Sequence, residues 1–344
     1  MQVIGLDVGG ANIKAATTAG AAATVPFALW KAPERLPEAL AEALRCLNIG
    51  MSPDLIAVTM TGELADCFSQ KAEGVAFIID SVRAAFPGGT LAVWQVAGEF
   101  VDADTARRFP LLTAASNWHA LATFCGRIVP RTPAVLIDMG STTTDIVPLE
   151  GGLPVPNGLT DVERLRCGEL VYTGCRRTPL CALVDAVRFG TEVYPLAAEV
   201  FATSGDAWLV LEWLEERPED CGTADGRPAT RRDARRRVAR QFCADEAELP
   251  GGLLEAVCRA AVEKQKALVR AALDRVVERS QGAPREVILC GEGIRLVRDV
   301  LEGHHVWRGW QRWELDRMLG SGISVAACAY AVARLAEERV APFL

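Results

Sequence analysis

Apolar and polar positions alternate along the chain in blocks that predict strands punctuated by glycine turns and, later, long helices. The first sixteen residues read as an apolar strand, a polar turn (Gly9, Gly10, Ala11, Asn12) and a second strand, which is a hairpin signal. Ala134 to Pro148 repeats it, placing Asp138 on Asp7, Gly140 on Gly9, Ser141 on Gly10, Thr143 on Asn12 and Asp145 on Lys14 at one constant offset. Two copies of strand, Asp-x-Gly turn and strand predict an internal duplication. Between them, Asp54 to Thr59 predicts a short strand, Glu73 to Phe86 a helix, Thr90 to Val96 a strand, and Leu111 to Phe124 one helix ending near Gly126. Further on, a basic run begins at Arg231, Gly252 to Arg279 has the three-and-four spacing of an amphipathic helix, and Glu286 to Cys290 predicts a strand opening onto Gly291-Glu292-Gly293. Gly320-Ser321-Gly322 precedes an apolar terminal helix.

The duplication accounts for the length. A chain of 344 residues exceeds the roughly 250–300 at which one hydrophobic core stops growing, so two lobes are expected: residues 1–131 plus 321–344 as lobe I, and 132–320 as lobe II. With 50% hydrophobic and 24% charged residues the chain has the composition of a folded protein. The net charge of −7 gives no overall positive field for a polynucleotide, so no nucleic acid partner is expected. The weakly charged run Ser321 to Ala333 is shorter than the ~20 residues of a membrane span, and Asp7 and Lys14 interrupt any signal-peptide core, so no membrane association and a cytoplasmic location are expected. Eleven cysteines without a CxxC pair predict reduced thiols. Cys167, Cys175 and Cys181 lack a recognised zinc spacing with His119, His304 or His305.

One Asp-x-Gly hairpin alone reads as an ordinary tight turn whose glycines relieve the backbone. Two copies about a domain apart, each with a strand-end carboxylate followed by small residues with uncovered N–H groups, read instead as facing halves of an anion and metal cleft.

The paired hairpins, the late strand with Gly291-Glu292-Gly293 and the glycine-led terminal helix resemble the acetate and sugar kinase/Hsp70/actin superfamily, implying an α/β fold of two ribonuclease-H-like lobes around a phosphate cleft. Within it, VTMTGELAD (58–66), TAASNWHALA (113–122), VLIDMGSTTTDIVP (135–148), VYTGCRRTPLCAL (171–183), ATSGDAWLVL (202–211) and TADGRPATRRDARRRVARQFCAD (223–245) are similar to the hydantoinase/oxoprolinase family, in its branch linked to tetrahydromethanopterin one-carbon transfer. That resemblance implies a transferase of methanofuran or methylofuran biosynthesis. It would join an aminomethylfuran-methyl diphosphate to the phenol oxygen of a glutamyl-tyramine or tyrosine-type acceptor and release pyrophosphate, with Mg2+ and without ATP. An ATP-dependent small-molecule kinase or hydantoinase/oxoprolinase-type hydrolase, and a non-catalytic ligand-binding or assembly subunit, remain the alternatives.

The chemistry of such a transfer selects residues. Departing pyrophosphate accumulates negative charge, so its stabilisation should dominate. Asp7 and Asp138, with Asp145, are the expected Mg2+ ligands. Gly9, Gly10, Asn12, Gly140, Ser141, Thr142 and Thr143 are the expected diphosphate donors, joined by the Lys14 charge. A phenol of pKa about 10 needs help losing its proton, for which Glu63, Asp66, Asp206 and Glu292 are candidates. Asp7, Asp138, Glu63 and Asp206 thus form the expected catalytic set, with Thr61, Gly62, Asn117, His119, Gly174, Gly205, Gly291, Glu292 and Gly293 lining the substrate pocket. His119 beside Trp118 on a helix also fits a packing role. The run Arg231, Arg232, Arg235, Arg236, Arg237 and Arg240 reads as a solvated face, with Arg235 or Arg240 an alternative contact for the acceptor's glutamyl carboxylate. Trp307, Trp310 and Trp313 recur at threes, the spacing of a core or interface stripe rather than a binding platform, and are read as a subunit contact of a homo-oligomer.

Overall fold

A computed structural model describes residues 1–50, 52–280 and 282–343. Its first sheet has the order β3-β2-β1-β4-β5-β6, from β1 (Val3–Val8), β2 (Asn12–Thr17), β3 (Ala22–Pro26), β4 (Leu55–Met60), β5 (Thr90–Trp94) and β6 (Phe100–Val101). Strands β1, β4 and β5 run parallel, and β2 and β3 follow antiparallel at one edge. The second sheet comprises β7 (Ala134–Met139), β8 (Thr144–Glu150), β9 (Leu153–Pro154) and β10 (Leu170–Val171) and, after a separate hairpin of β11 (Ala186–Phe189) and β12 (Glu192–Pro195), β13 (Glu286–Cys290) and β14 (Gln311–Glu314). Its order, β10-β8-β7-β13-β14, repeats the first, again with a parallel pair on one side of the founding hairpin and antiparallel strands on the other.

The duplication extends to register. Asp7 lies opposite Lys14 on β1–β2, and Asp138 opposite Asp145 on β7–β8. The same bond closes each turn: Gly9 N–H donates to the Asn12 carbonyl (3.0 Å) and Gly140 N–H to the Thr143 carbonyl (2.9 Å). β1 and β4 are buried at all six positions, as central strands covered on both faces must be.

Two helices lie between the sheets. The Asn117–Cys125 helix packs Ala120 with Leu55 and Trp94 of the first sheet, and Trp118, Leu121 and Cys125 with Leu136, Val147 and Ile288 of the second. The Ala327–Arg339 helix does likewise, with Val332 and Leu335 on one side and Ala327, Cys328 and Ala331 on the other. Helices apolar all round are what such a position requires. The C-terminal helix also touches β1 backbone to backbone: a Cβ on Gly5 would sit 1.9 Å from the Ala329 carbonyl oxygen. Gly5→Ala is therefore expected to destabilise the fold by about 3 kcal/mol or more, beyond ordinary overpacking because backbone must move. Chemical denaturation checks this, and a change below about 1 kcal/mol would contradict the close approach.

Two expectations change. The single helix over Leu111 to Phe124 is broken into Pro110–Thr113 and Asn117–Cys125. Ala115 between them takes a left-handed φ of 48°, while Ser116 turns inward to donate to the Trp94 carbonyl (3.0 Å) and meets Thr59 Oγ1 at 3.1 Å. Tertiary hydrogen bonding there outweighs a helical pattern. The tryptophan stripe is core rather than a subunit contact: Trp307 and Trp310 are buried in the second lobe, and Trp313 on β14 donates its indole N–H to Glu286 (2.6 Å). Among the described residues no helix is long and apolar enough to cross a membrane.

Candidate functional site

The two glycine turns are each clasped by neighbouring segments. Thr61 and Gly62 N–H both donate to the Val8 carbonyl (3.0 and 2.9 Å), and a Cβ on Gly9 would lie 3.5 Å from Thr61 Oγ1. In the second lobe Gly293 N–H reaches the equivalent Met139 carbonyl (2.8 Å). Gly291, at φ +87°, passes so close to Asp138 that a Cβ would fall 2.4 Å from its Oδ1. Gly174 abuts the Ser141–Thr142 peptide, where a Cβ would come within 2.5 Å. From there Cys175 N–H donates to the Gly140 carbonyl, and Arg176 and Arg177 N–H to that of Ser141, each at 3.0 Å. Thr61, Gly62, Gly174, Gly291 and Gly293 thus gather at the turns; Gly205 stands one layer behind, bonded to the Arg176 carbonyl (3.1 Å). Among the described residues the N–H groups of Gly10, Ser141 and Thr142 have no protein acceptor, which is the feature an anion nest needs.

Charge is concentrated between the turns. Asp7 is buried, and its Oδ1 has no hydrogen-bond partner among the described residues; burial raises its pKa, Lys14 opposes, and Asp145 adds to the rise. Burial lowers the Lys14 pKa, but the fields of Asp7, Cys328, Asp138 and Glu292 more than offset it and leave it raised. Its ammonium is charged, yet no hydrogen bond or ion pair within 4.0 Å engages it among the described residues. Burial, then Asp145, lift Asp138 to about 6 against the pull of Lys14.

Asp145 differs from the expected metal ligand. Arg164, itself buried, binds its Oδ1 at 2.8 Å and stacks over the Trp118 ring at 3.9 Å. Among the described residues no group of three or more His, Cys, Asp and Glu is placed to hold a metal ion, so the trio Asp7, Asp138 and Asp145 is not a preformed metal site. The same finding covers Cys167, Cys175 and Cys181, which are free thiols.

The four candidate bases separate by partner. Asp206 caps its helix through Thr203 N–H (2.9 Å) and is ion-paired with the buried Arg237 (2.8 Å), a structural role rather than the expected catalytic one. Glu292 is gripped in bidentate fashion by Arg176 (2.7 and 2.6 Å) and touched by Arg217 (3.0 Å); burial opposes ionisation, but these guanidiniums hold its pKa down. It cannot accept a proton at neutral pH as expected. Asp66 is exposed. Glu63 is 1% exposed, its Oε2 has no partner among the described residues, and burial raises it to about 7 despite its own amide, Lys71 and the Ala115 amide, with Asp161 adding to the rise.

That shift couples Glu63 to stability. Unfolded, its carboxyl titrates near the ordinary 4.5; folded, near 7. Between those values the native chain keeps a proton the unfolded chain has lost, so stability falls as pH rises through the window and is level above it. Glu63→Gln removes this contribution, and the gain of the variant over wild type should grow by roughly 3 kcal/mol from about pH 4 to about pH 8. A pH-independent difference in urea unfolding would refute it.

His119 is pushed down to about 4, first by burial and then by Arg164 and Arg339, and it packs against Trp94 and Trp118. A neutral imidazole there is a core group, not a pocket residue. Asn117 directs Nδ2 at Cys328 Sγ (3.8 Å). The arginine run is mostly consumed: Arg235 by Glu246 and Glu255, Arg240 by Asp225, Arg237 in the core. Neither Arg235 nor Arg240 is free for a substrate carboxylate. Missed by sequence reasoning are Arg164 and two bridges between the lobes, the Lys71–Asp161 ion pair (2.8 Å) and the Arg177 guanidinium over the Trp30 ring (4.9 Å). Arg177 lies inside one of the family strings, the one signal available.

Two lobes of one topology, each offering a glycine turn to a shared charged cleft, give this chain the two-lobed α/β fold of the acetate and sugar kinase/Hsp70/actin type. The nucleotide-free structure of acetone carboxylase superposes with a TM-score of 0.55 at 10% identity, covering 97% of this chain and 70% of that one. Residues 54–293 match the hydantoinase/oxoprolinase model, and the chain belongs to the hydantoinase/oxoprolinase family. It is 31% identical over 343 residues, 99% of either chain, to the (4-{4-[2-(gamma-L-glutamylamino)ethyl]phenoxymethyl}furan-2-yl)methanamine synthase of Methanocaldococcus jannaschii. It is 30% identical over 207 residues to the synthase of the same name from Methanococcus vannielii, covering 60% of this chain and 91% of that one.

Proposed function

We propose that this protein is a transferase of methanofuran or methylofuran biosynthesis that joins an aminomethylfuran-methyl diphosphate to the phenol oxygen of a glutamyl-tyramine or tyrosine-type acceptor, releasing pyrophosphate. The observation that carries the reading is the charged Lys14, which has no ion-pair partner among the described residues and lies in the fields of Asp7 and Asp138 at the ends of the two turns whose N–H groups are uncovered; the relatives named above supply the substrate class. The carbon–oxygen bond to the diphosphate breaks with its electron pair leaving on oxygen, and the electron-rich furan spreads the positive charge left on carbon. Lys14 and the N–H groups of Gly10, Ser141 and Thr142 meet the growing negative charge in a site partly shielded from water, where such contacts are strongest. The phenol oxygen forms the new bond and gives up its proton. With Asp206 and Glu292 held by arginines, Glu63 and the exposed Asp66 are the carboxylates left of the four considered to receive it.

Asp7, with its unpartnered Oδ1, and Asp138 fit a magnesium ion, a cation commonly bound by one or two carboxylates plus substrate phosphate rather than by an all-protein cage. Such an ion would neutralise diphosphate charge. The test of the reading is pyrophosphate formation and mass detection of the ether product from the furan diphosphate with tyrosine, tyramine and glutamyl-tyramine in turn. Product with at least one phenol supports it, whereas pyrophosphate without ether, or neither, refutes it.

A further inference from the structure

Trp30 and Arg177 come from opposite lobes and meet beside both turns. Trp30 follows Leu29, whose N–H donates to the Gly10 carbonyl (2.9 Å), so its backbone is fixed to the first turn. Arg177 donates its own N–H to the Ser141 carbonyl (3.0 Å), which fixes it to the second. The guanidinium lies 4.9 Å from the centre of the half-buried Trp30 ring and, among the described residues, has no carboxylate partner. Its neighbour Arg176 is wholly committed to Glu292, and the arginines of the Arg231–Arg240 helix that might have read a substrate carboxylate are occupied. Around the cleft, a guanidinium without a carboxylate partner among the described residues therefore sits against a half-buried aromatic ring. An exposed stack of this kind is worth only about 0.5–1 kcal/mol, so a ligand that offers a better partner to each member displaces it readily.

We propose that Trp30 and Arg177 form the acceptor-recognition site, where Trp30 stacks on the phenol ring and Arg177 pairs with a carboxylate carried on the same acceptor. This rests on the transferase reading and names its acceptor class: a phenol bearing a carboxylate at the end of a flexible arm, within the sweep of a long arginine side chain. Arg177 is the group that discriminates such an acceptor from a bare phenolic amine. Trp30 serves both. A planar guanidinium suits this role because it stacks on an aromatic face when idle and binds carboxylate through paired N–H groups when engaged.

The experiment compares kcat/KM for glutamyl-tyramine and for tyramine, which lacks the carboxylate, in the wild type, Arg177→Met, Arg177→Lys and Trp30→Phe. In Arg177→Met the preference for glutamyl-tyramine should fall by about tenfold to a hundredfold, through KM rather than kcat, as loss of a charge-assisted pair predicts. Arg177→Lys should recover part of that preference, and Trp30→Phe should keep it. Equal losses on both acceptors, or a wild type without preference for the carboxylated one, would overturn the inference while leaving the transferase reading in place. If the wild type turns over no acceptor, that reading fails, and calorimetry then decides here. Tighter binding of glutamyl-tyramine than tyramine, lost in Arg177→Met, sustains the site, and equal or absent binding ends it.

Discussion

Replacing Lys14 by methionine is expected to lower the rate of pyrophosphate release by about a hundredfold to a thousandfold, the cost typical of removing one preorganised charge or donor from a leaving group. Three features make this effect large. The ammonium is partly buried, so its field is poorly screened. It has no ion-pair or hydrogen-bonding partner within 4.0 Å among the described residues, so it does not have to surrender one when the anion arrives. It also stands opposite Asp7 in the register of the first hairpin, on a strand whose position is fixed by pairing on both sides. Methionine keeps the length and apolar stem of the side chain, and circular dichroism should be unchanged. A variant within about threefold of wild type, well short of the loss one such group causes, would show that Lys14 does not touch the leaving group.

Asp138→Asn should abolish turnover without weakening the fold, and the two halves of that statement have one origin. Burial and the neighbouring Asp145 hold the Asp138 carboxyl near 6 instead of 3.8. As pH rises between those values the folded protein retains a proton that the unfolded chain has lost, so ionising Asp138 costs stability in that window and the cost persists above it. Asparagine has the same volume and no charge to desolvate. At about pH 7.5 its melting temperature should therefore equal or exceed that of wild type, the reverse of what loss of a structural ion pair would give. Activity moves the other way, because the charge that is costly to fold is the one a cation bound with diphosphate would use. In the wild type the rate should decline as pH falls below about 6. An active Asp138→Asn protein would remove this carboxylate from the chemistry, and a marked fall in its melting temperature would mean that Asp138 serves the fold.

The architecture was legible because it is written in local signals. A strand, an Asp-x-Gly turn and a second strand form a self-contained unit, and its repetition gives two sheets of the same order with Asp7 and Asp138 in equivalent places. The roles of the other carboxylates were not, because each is decided by a distant arginine. Glu292 is held by Arg176, 116 positions away, and Asp206 by Arg237, 31 positions away. Arg164 captures Asp145 from a helix that packs beside it only after folding. Nothing in the spacing of acidic residues distinguishes Glu63, whose carboxylate has no arginine partner among the described residues, from these. The break at Ala115 has the same character, since the hydrogen bonds of Ser116 reach strands β4 and β5. The arginine run misled in the opposite sense: helical spacing suggested a solvated face, but Arg237 is fully buried and Arg235 bridges two glutamates.

Pyrophosphate release that needs no nucleotide separates a diphosphate-displacing transferase from an ATP-dependent enzyme. Purified protein with magnesium, the furan-methyl diphosphate and glutamyl-tyramine, and with all nucleotide removed, should release pyrophosphate in equal amount to the ether formed, and adding ATP should not raise the rate. Turnover that requires ATP and yields ADP or inorganic phosphate, with no pyrophosphate when nucleotide is withheld, would contradict it.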